Sequence, residues 1–259
     1  MMAKRRRLPP EERKSEILEA AAELFAVRGY HATSVSDIID TAGIARGTFY
    51  LYFQSKKDVF LELIESYFSG FAEVLESNHG RLDAAFAEGT NPVRAWRENV
   101  LAILSFHANN PELTRIVYRE AMGRDEDFSD RVDELSWLAR GKLVQEFKAM
   151  SSHGLIRDSD LDVVASIAMG ATVNIIMEHL LRRGTSDLES VADALMDNQV
   201  RALAAPGIDV DLVLESIKRP ARKRPAPRSK TAKPASKRSK PTRRPPASSG
   251  GNRSGRKAP

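Results

Sequence analysis

Residues Thr33 to Phe53 read TSVSDIIDTAGIARGTFYLYF. Val35, Ile38 and Ile39 recur at helical spacing and give a short helix one buried face, and Thr33, which brings little mass to a core, stands where a cap belongs. Ala42, Gly43 and Ile44 then supply the tight turn between two helices that cross steeply, with Gly43 free to take a positive φ. A second helix, Ala45 to about Leu51, is short, and its small residues Ala45 and Gly47 leave Arg46, Thr48 and Tyr50 room to reach a surface. The pattern is a helix-turn-helix, and in DNA-binding forms of that motif the surface reached is the major groove.

Outward from this stretch the chain stays helical. Ile17, Ala21, Leu24 and Phe25 form a stripe closed by Gly29. Phe60, Leu63, Ile64, Tyr67, Phe68, Phe71 and Leu75 predict a long amphipathic helix from Lys56 to Leu75. Val93, Trp96, Val100, Ile103 and Leu104 mark the next helix; Leu113, Ile116, Val117 and Tyr118 mark another, entered through Asn110 and Pro111. Residues 128–150, 159–183 and 187–204 supply three more, punctuated by Gly154 and Gly184. In the second of these, Ala165, Ala168, Gly170, Ala171 and Thr172 keep one side slim enough for close approach by a partner helix.

With no strand-like alternation between Glu11 and Ile217, the fold class is all-α. The expected organisation is a three-helix domain over residues 1–55, whose first ten residues form a flexible basic arm, then a helical bundle over 56–217 and a tail over 218–259. Eight of the chain's 13 prolines fall in the tail among Ser, Ala and basic residues, a composition expected to stay disordered in isolation.

The charge count separates the same parts. The 259 residues carry 40 Lys and Arg against 35 Asp and Glu, a net +5. Lys218 to Pro259 holds 16 of the basic residues and no acid, leaving 24 against 35, or −11, for Met1 to Ile217. Within that acidic part Met1 to Phe60 is +2 (10 against 8), so Leu61 to Ile217 is −13 (14 against 27). The tail's composition resembles the Lys/Pro/Ala-rich tails of linker histones; it suits DNA phosphate, RNA or an anionic membrane surface, or could fold back on the acidic body.

The absence of Cys excludes a disulfide scaffold, a Cys-type zinc finger and thiol catalysis. The five His, at 31, 79, 107, 153 and 179, include no pair at the i, i+4 spacing of a helical metal site. No cofactor loop or nucleophile–base signature stands out, so neither enzyme activity, cofactor nor metal is expected. No apolar run is read as approaching the roughly 18 residues of a membrane span, and the basic start, Lys4 to Arg7, lacks the apolar segment of a signal peptide. A cytoplasmic, nucleoid-associated protein with no membrane partner is expected.

Among the candidate DNA-binding residues, Arg46 comes first, because a guanidinium can bond two acceptors of guanine at once; its plainer alternative is a phosphate contact or a solvated position. Thr48 can meet a base edge or a thymine methyl, and Gly47 would let the backbone approach. Tyr50 and Tyr52 can donate to phosphate, or simply pack. Ser55 and Asp58 make a capping pattern for the following helix, at whose start Lys56 is expected to meet phosphate.

Gly29, Thr33, Ile38, Ala42-Gly43-Ile44, Gly47-Thr48-Phe49-Tyr50, Phe53 and Lys56 stand without gaps at the spacing of the tetracycline-repressor (TetR) family of bacterial transcriptional regulators, which the stretch Gly29 to Phe60 resembles. Two positions depart from the family pattern: Ala45 stands where a capping Ser is frequent, and Tyr52 where many members have His. The resemblance implies double-stranded DNA carrying a palindromic operator as the partner, with Thr33 in the DNA-binding set, and a homodimer through residues 159–204. Leu188, Val191, Leu195, Met196 and Leu203 are the candidate stripe for that dimer, beside the slim helix. It also implies repression relieved by a small-molecule effector in a pocket of the bundle. Trp96, Phe106, His107, Tyr118, Met122, Trp137, Phe147 and Asn174 are candidates to line that pocket, each with plain core packing as its alternative. The competing reading is a nucleoid-associated, DNA-compacting protein dominated by its basic tail.

Overall fold

The computed structural model describes residues 9–123 and 129–218, with the side chains of residues 120–131 outside the description. The expected basic arm, apart from residues 9 and 10, and the tail beyond Lys218 therefore lie outside the described residues. Among those described, every regular element is a helix.

Helix α1 (Pro10–Arg28) begins with Pro at its first position and Glu11 and Glu12 in its first turn, where carboxylates complement the helix dipole. It ends at Gly29, whose φ of 90° a residue with a Cβ rarely adopts. Helix α2 (Val35–Ala42) opens with a reciprocal cap: Ser34 Oγ accepts from the Asp37 amide at 3.1 Å, and the Asp37 carboxylate accepts from the Ser34 amide at 2.8 Å. This corrects the expectation that Thr33 is the cap. Thr33 stands one residue too early; its hydroxyl donates back to the Gly29 carbonyl at 2.9 Å, and the side chain is only 2% exposed. Gly43 closes α2 in the left-handed region, as the turn requires. Helix α3 (Arg46–Tyr52) follows, with no side-chain cap at Ala45.

Helix α4 (Lys56–Glu88) starts from a Ser55–Asp58 box and continues past Leu75, because Asn78, Leu82 and Ala85 keep its inward face buried. The bundle is completed by α5 (Pro92–Asn109), α6 (Pro111–Gly123), α7 (Ser129–Ser152), α8 (Leu161–Ile175), α9 (Leu188–Leu203) and α10 (Val210–Ile217). Helix α8 passes directly into a π-helical segment, Ile176–Arg182.

Two apolar cores result. The first joins Ile17, Phe25, Ile38, Phe49, Phe53, Phe60 and Tyr67 with Ile116 and Val117 of α6. The second gathers Leu82, Trp96, Leu104, Phe147, Met150, Ile176, Met196 and Val200. Leu195, Met196 and Leu203 face this second core at 0–7% exposure, which corrects their expected place on a dimer surface: α9 uses that stripe inside its own chain. Apolar side chains are left outside on α8, where Val163 is 52% and Ile167 66% exposed. The helix Leu161–Arg182 is, by length and composition, apolar enough to cross a membrane, contrary to the expectation that no run approaches that length.

Candidate nucleic-acid interface and effector cavity

Phe49 and Phe53 are buried beneath α3 and fix its outer face. On that face Arg46 and Gly47 are exposed and Thr48 is half-buried. The Arg46 guanidinium lies 5.9 Å from the centre of the Tyr50 ring, a cation–π arrangement that steadies both side chains. Nothing lies within 4 Å of where a Cβ on Gly47 would sit, so the backbone there is open to close approach. Tyr50 is exposed and Tyr52 half-buried. Leu51, absent from the candidates, is 80% exposed and offers an apolar surface of the kind that meets a thymine methyl.

Lys56, expected to meet phosphate, is engaged within the chain. Its Nζ donates to the carbonyls of Tyr30 and Thr33 at 2.6 and 2.7 Å and lies 4.2 Å from the Tyr30 ring centre. Partial burial holds the ammonium below its ordinary pKa. Lys56 thus ties the start of α4 to the α1–α2 turn, and the Thr33 side chain, bonded to Gly29, is likewise turned inward. The outward surface is left to Arg46, Gly47, Thr48, Tyr50, Leu51 and Tyr52.

Behind this head, α4 to α9 enclose a cavity of about 310 Å³ walled largely by Phe71, Leu75, Val100, Ile103, Leu143 and Ile176. Three of the candidates line it: Trp96, His107 and Tyr118. The others do not. Phe106 packs between Tyr67 and Phe71, at 5.1 and 5.3 Å, and against Gly70. Phe147 is fully buried behind Trp96, meeting it edge-on at 5.7 Å. Trp137 points outward, 73% exposed, and Asn174 is exposed on α8. The side chain of Met122 lies outside the described residues.

Polar groups sit at two places in the wall. In one, the Tyr67 hydroxyl lies 2.8 Å from His107 Nδ1 and 3.3 Å from Thr114 Oγ1. Burial holds His107 down to about 4, a neutral imidazole at any ordinary pH, and pushes the Tyr67 and Tyr118 phenols up. In the other, Asn78 and Asn99 donate to each other's main-chain carbonyls at 3.1 and 3.0 Å, while Arg81 donates to both of their side-chain oxygens. Asn99 Nδ2 also lies 3.2 Å from Glu146 Oε1, and burial lifts the Glu146 carboxyl to about 7. Gln199 lines the same cavity, and its Oε1 has no hydrogen-bond partner among the described residues. Asn78, Asn99, Glu146 and Gln199 were not foreseen. Their signal was a polar residue on the inward face of an apolar stripe, as with Asn78 between Leu75 and Leu82.

Val117 and Tyr67 join the head to the cavity. They are buried in the core of the head and also line the cavity.

A helix-turn-helix presenting a short, capless helix with an exposed arginine, joined to a hollow helical body, defines a DNA-binding transcriptional regulator. Residues 17–63 match the bacterial regulatory proteins of the tetR family. It is 29% identical over 205 residues to the probable acrEF/envCD operon repressor of Escherichia coli (strain K12), covering 77% of this chain and 90% of that one. Among solved structures it resembles the fatty acid degradation regulator FadR from Bacillus halodurans, with a TM-score of 0.60, 19% identity, and 79% of this chain and 99% of that chain covered. The ketosteroid transcriptional regulator KstR2 of Mycobacterium tuberculosis is similar at a TM-score of 0.58 and 24% identity, covering 74% and 95%.

Proposed function

We propose that the protein is a homodimeric repressor that two α3 helices hold on a palindromic operator, and that a small molecule in the cavity releases it. The observation that carries this reading is the shared wall: Val117 and Tyr67 take part in the head's core and also border the cavity, so a molecule pressing on them acts on the elements that support α3. Helix α4, about 50 Å long at 1.5 Å per residue, runs from the head to the far end of the body and would carry a tilt between them. A ligand shifts such an equilibrium only by its difference in affinity for the two head arrangements.

Dimerisation follows from what one head lacks. A single short helix reads few base pairs, whereas two heads about 34 to 36 Å apart on one face of the duplex roughly double the contact. The exposed apolar side of α8, with Val163 and Ile167 beside the slim Gly170 and Ala171, is the face a second copy would cover. The tail, with 16 basic residues in 42, would add phosphate contacts that hold the complex without reading sequence.

Selecting bound duplexes from a random DNA pool, followed by footprinting, tests the reading. A discrete protected palindrome is the expected result. Uniform coating of any duplex would refute it.

A further inference from the structure

The chemistry of the cavity restricts what can fill it. Arg81 has only donors, so it fixes the Asn78 and Asn99 amides with their oxygens toward itself, and their NH2 groups are spent on main-chain carbonyls and on Glu146. The Glu146 carboxyl is therefore left, inside a largely apolar chamber, with a single 3.2 Å hydrogen bond from Asn99 and no salt bridge among the described residues. Lys142, the cation among the lining residues, is paired with Glu76 at 2.6 Å. Gln199, more than nine-tenths buried, adds an amide oxygen with no donor among the described residues. A buried wall with acceptors to spare and its cation engaged is matched by a ligand that donates and carries positive charge, and it opposes a carboxylate.

We propose that the effector is an apolar amine whose protonated nitrogen pairs with the Glu146 carboxylate while its hydrocarbon part fills the space between Trp96, Phe71 and Ile103. This rests on the effector-cavity reading above and adds the ligand's chemical class. The charged groups around Glu146 are Arg81 and Asp83 from α4 and Lys142 from its own helix; Asn99 reaches it from α5. None of the three charges is bonded to its carboxylate, so an ammonium would be its first ionic partner. Because burial lifts this carboxyl to about 7, pairing with an ammonium requires it to lose a proton, and amine affinity falls as the pH is lowered through neutrality.

The test uses the full chain carrying Trp137→Phe, which leaves Trp96 in the cavity wall as the sole tryptophan of the chain's two. Decylamine, decanol and decanoate are titrated while Trp96 emission and operator affinity are followed. At about pH 8, where a Glu of this pKa is ionised, decylamine should bind on the order of tenfold or more tighter than decanoate, and the margin should shrink by about pH 6. Glu146→Gln should abolish the margin and its pH dependence, whereas Glu146→Asp should keep part of both. Decanoate binding as tightly as decylamine, or a margin that survives Glu146→Gln, would overturn the amine assignment while leaving an effector cavity in place. If no probe moves either Trp96 emission or operator affinity, both the assignment and the effector reading fall.

Discussion

Lys56 and Tyr30 hold each other twice: the ammonium donates to the Tyr30 carbonyl at 2.6 Å and lies 4.2 Å from the centre of the same residue's ring. Removing the ammonium takes a donor from that carbonyl, which keeps the Thr33 amide at 3.3 Å, and from the Thr33 carbonyl as well. Lys56→Met should therefore lower unfolding stability by about 1 to 3 kcal/mol, read by chemical denaturation. The salt dependence of DNA binding should stay the same. A phosphate-contacting lysine would instead reduce the log-log slope by about 0.9, so an altered slope with unchanged stability would contradict the assignment.

Arg46→Ala tests base reading by α3. Specific operator affinity should drop by about 1 to 3 kcal/mol, while affinity for a scrambled duplex and the salt slope change little. Equal losses on both duplexes would make Arg46 a phosphate contact.

Deleting Lys218 to Pro259 removes 16 positive charges. If half of them engage phosphate, the slope per chain should soften by roughly 7, with operator and scrambled duplex weakened alike. A slope that does not move would take the tail out of DNA binding.

Ile167 is 66% exposed on the outer side of α8. Ile167→Glu would place a charge in the proposed dimer face, so sedimentation at micromolar concentration should show a monomer, and operator binding should weaken steeply while helicity is retained. A variant that remains dimeric would place the interface elsewhere.

His107 and Glu146 should tilt stability against pH in opposite directions. The His107 pKa falls from 6.5 to about 4 on folding, so the unfolded chain binds the extra proton between those values and stability rises with pH across that window. Glu146 goes from 4.5 up to about 7, so the folded chain holds the extra proton and stability falls with rising pH across nearly the same window. Each effect is worth up to about 3 kcal/mol. In the wild type they largely offset. Thermal melts of Glu146→Gln should therefore gain stability from about pH 4 to 6.5, and those of His107→Asn should lose it from about pH 4.5 to 7. Parallel profiles in the two variants would contradict this.

The helix-turn-helix was readable because its code is local: Gly43, the small Ala45 and Gly47, and the Ser55–Asp58 box each act on neighbours a few residues away. Lys56 was not, because its partners are main-chain oxygens 26 and 23 residues distant, and a main-chain oxygen leaves no trace in residue identity. The second half of α4 was missed because Asn78 breaks the apolar stripe; a buried amide there is tolerable only once Asn99 arrives from α5 to pair with it, beside Arg81 one turn further along α4. Periodicity placed Trp137 and Phe147 on helices correctly but not on the cavity side. Which face of a helix lines a hollow depends on all the helices around it.

Because Ile116 and Val117 complete the head's apolar core from a helix more than fifty residues beyond α4's start, the reading head is not a detachable module. A fragment ending after α3 would lack Phe60, whose ring meets that of Phe25 at 5.6 Å, together with Ile116 and Val117, and its helices would have little to order them. Exchanging heads between relatives at the α3–α4 junction would then pair a foreign α1 with a resident α6. A working chimera has to carry α6 along with the first three helices, and with it a wall of the cavity: operator choice and effector choice are inherited together.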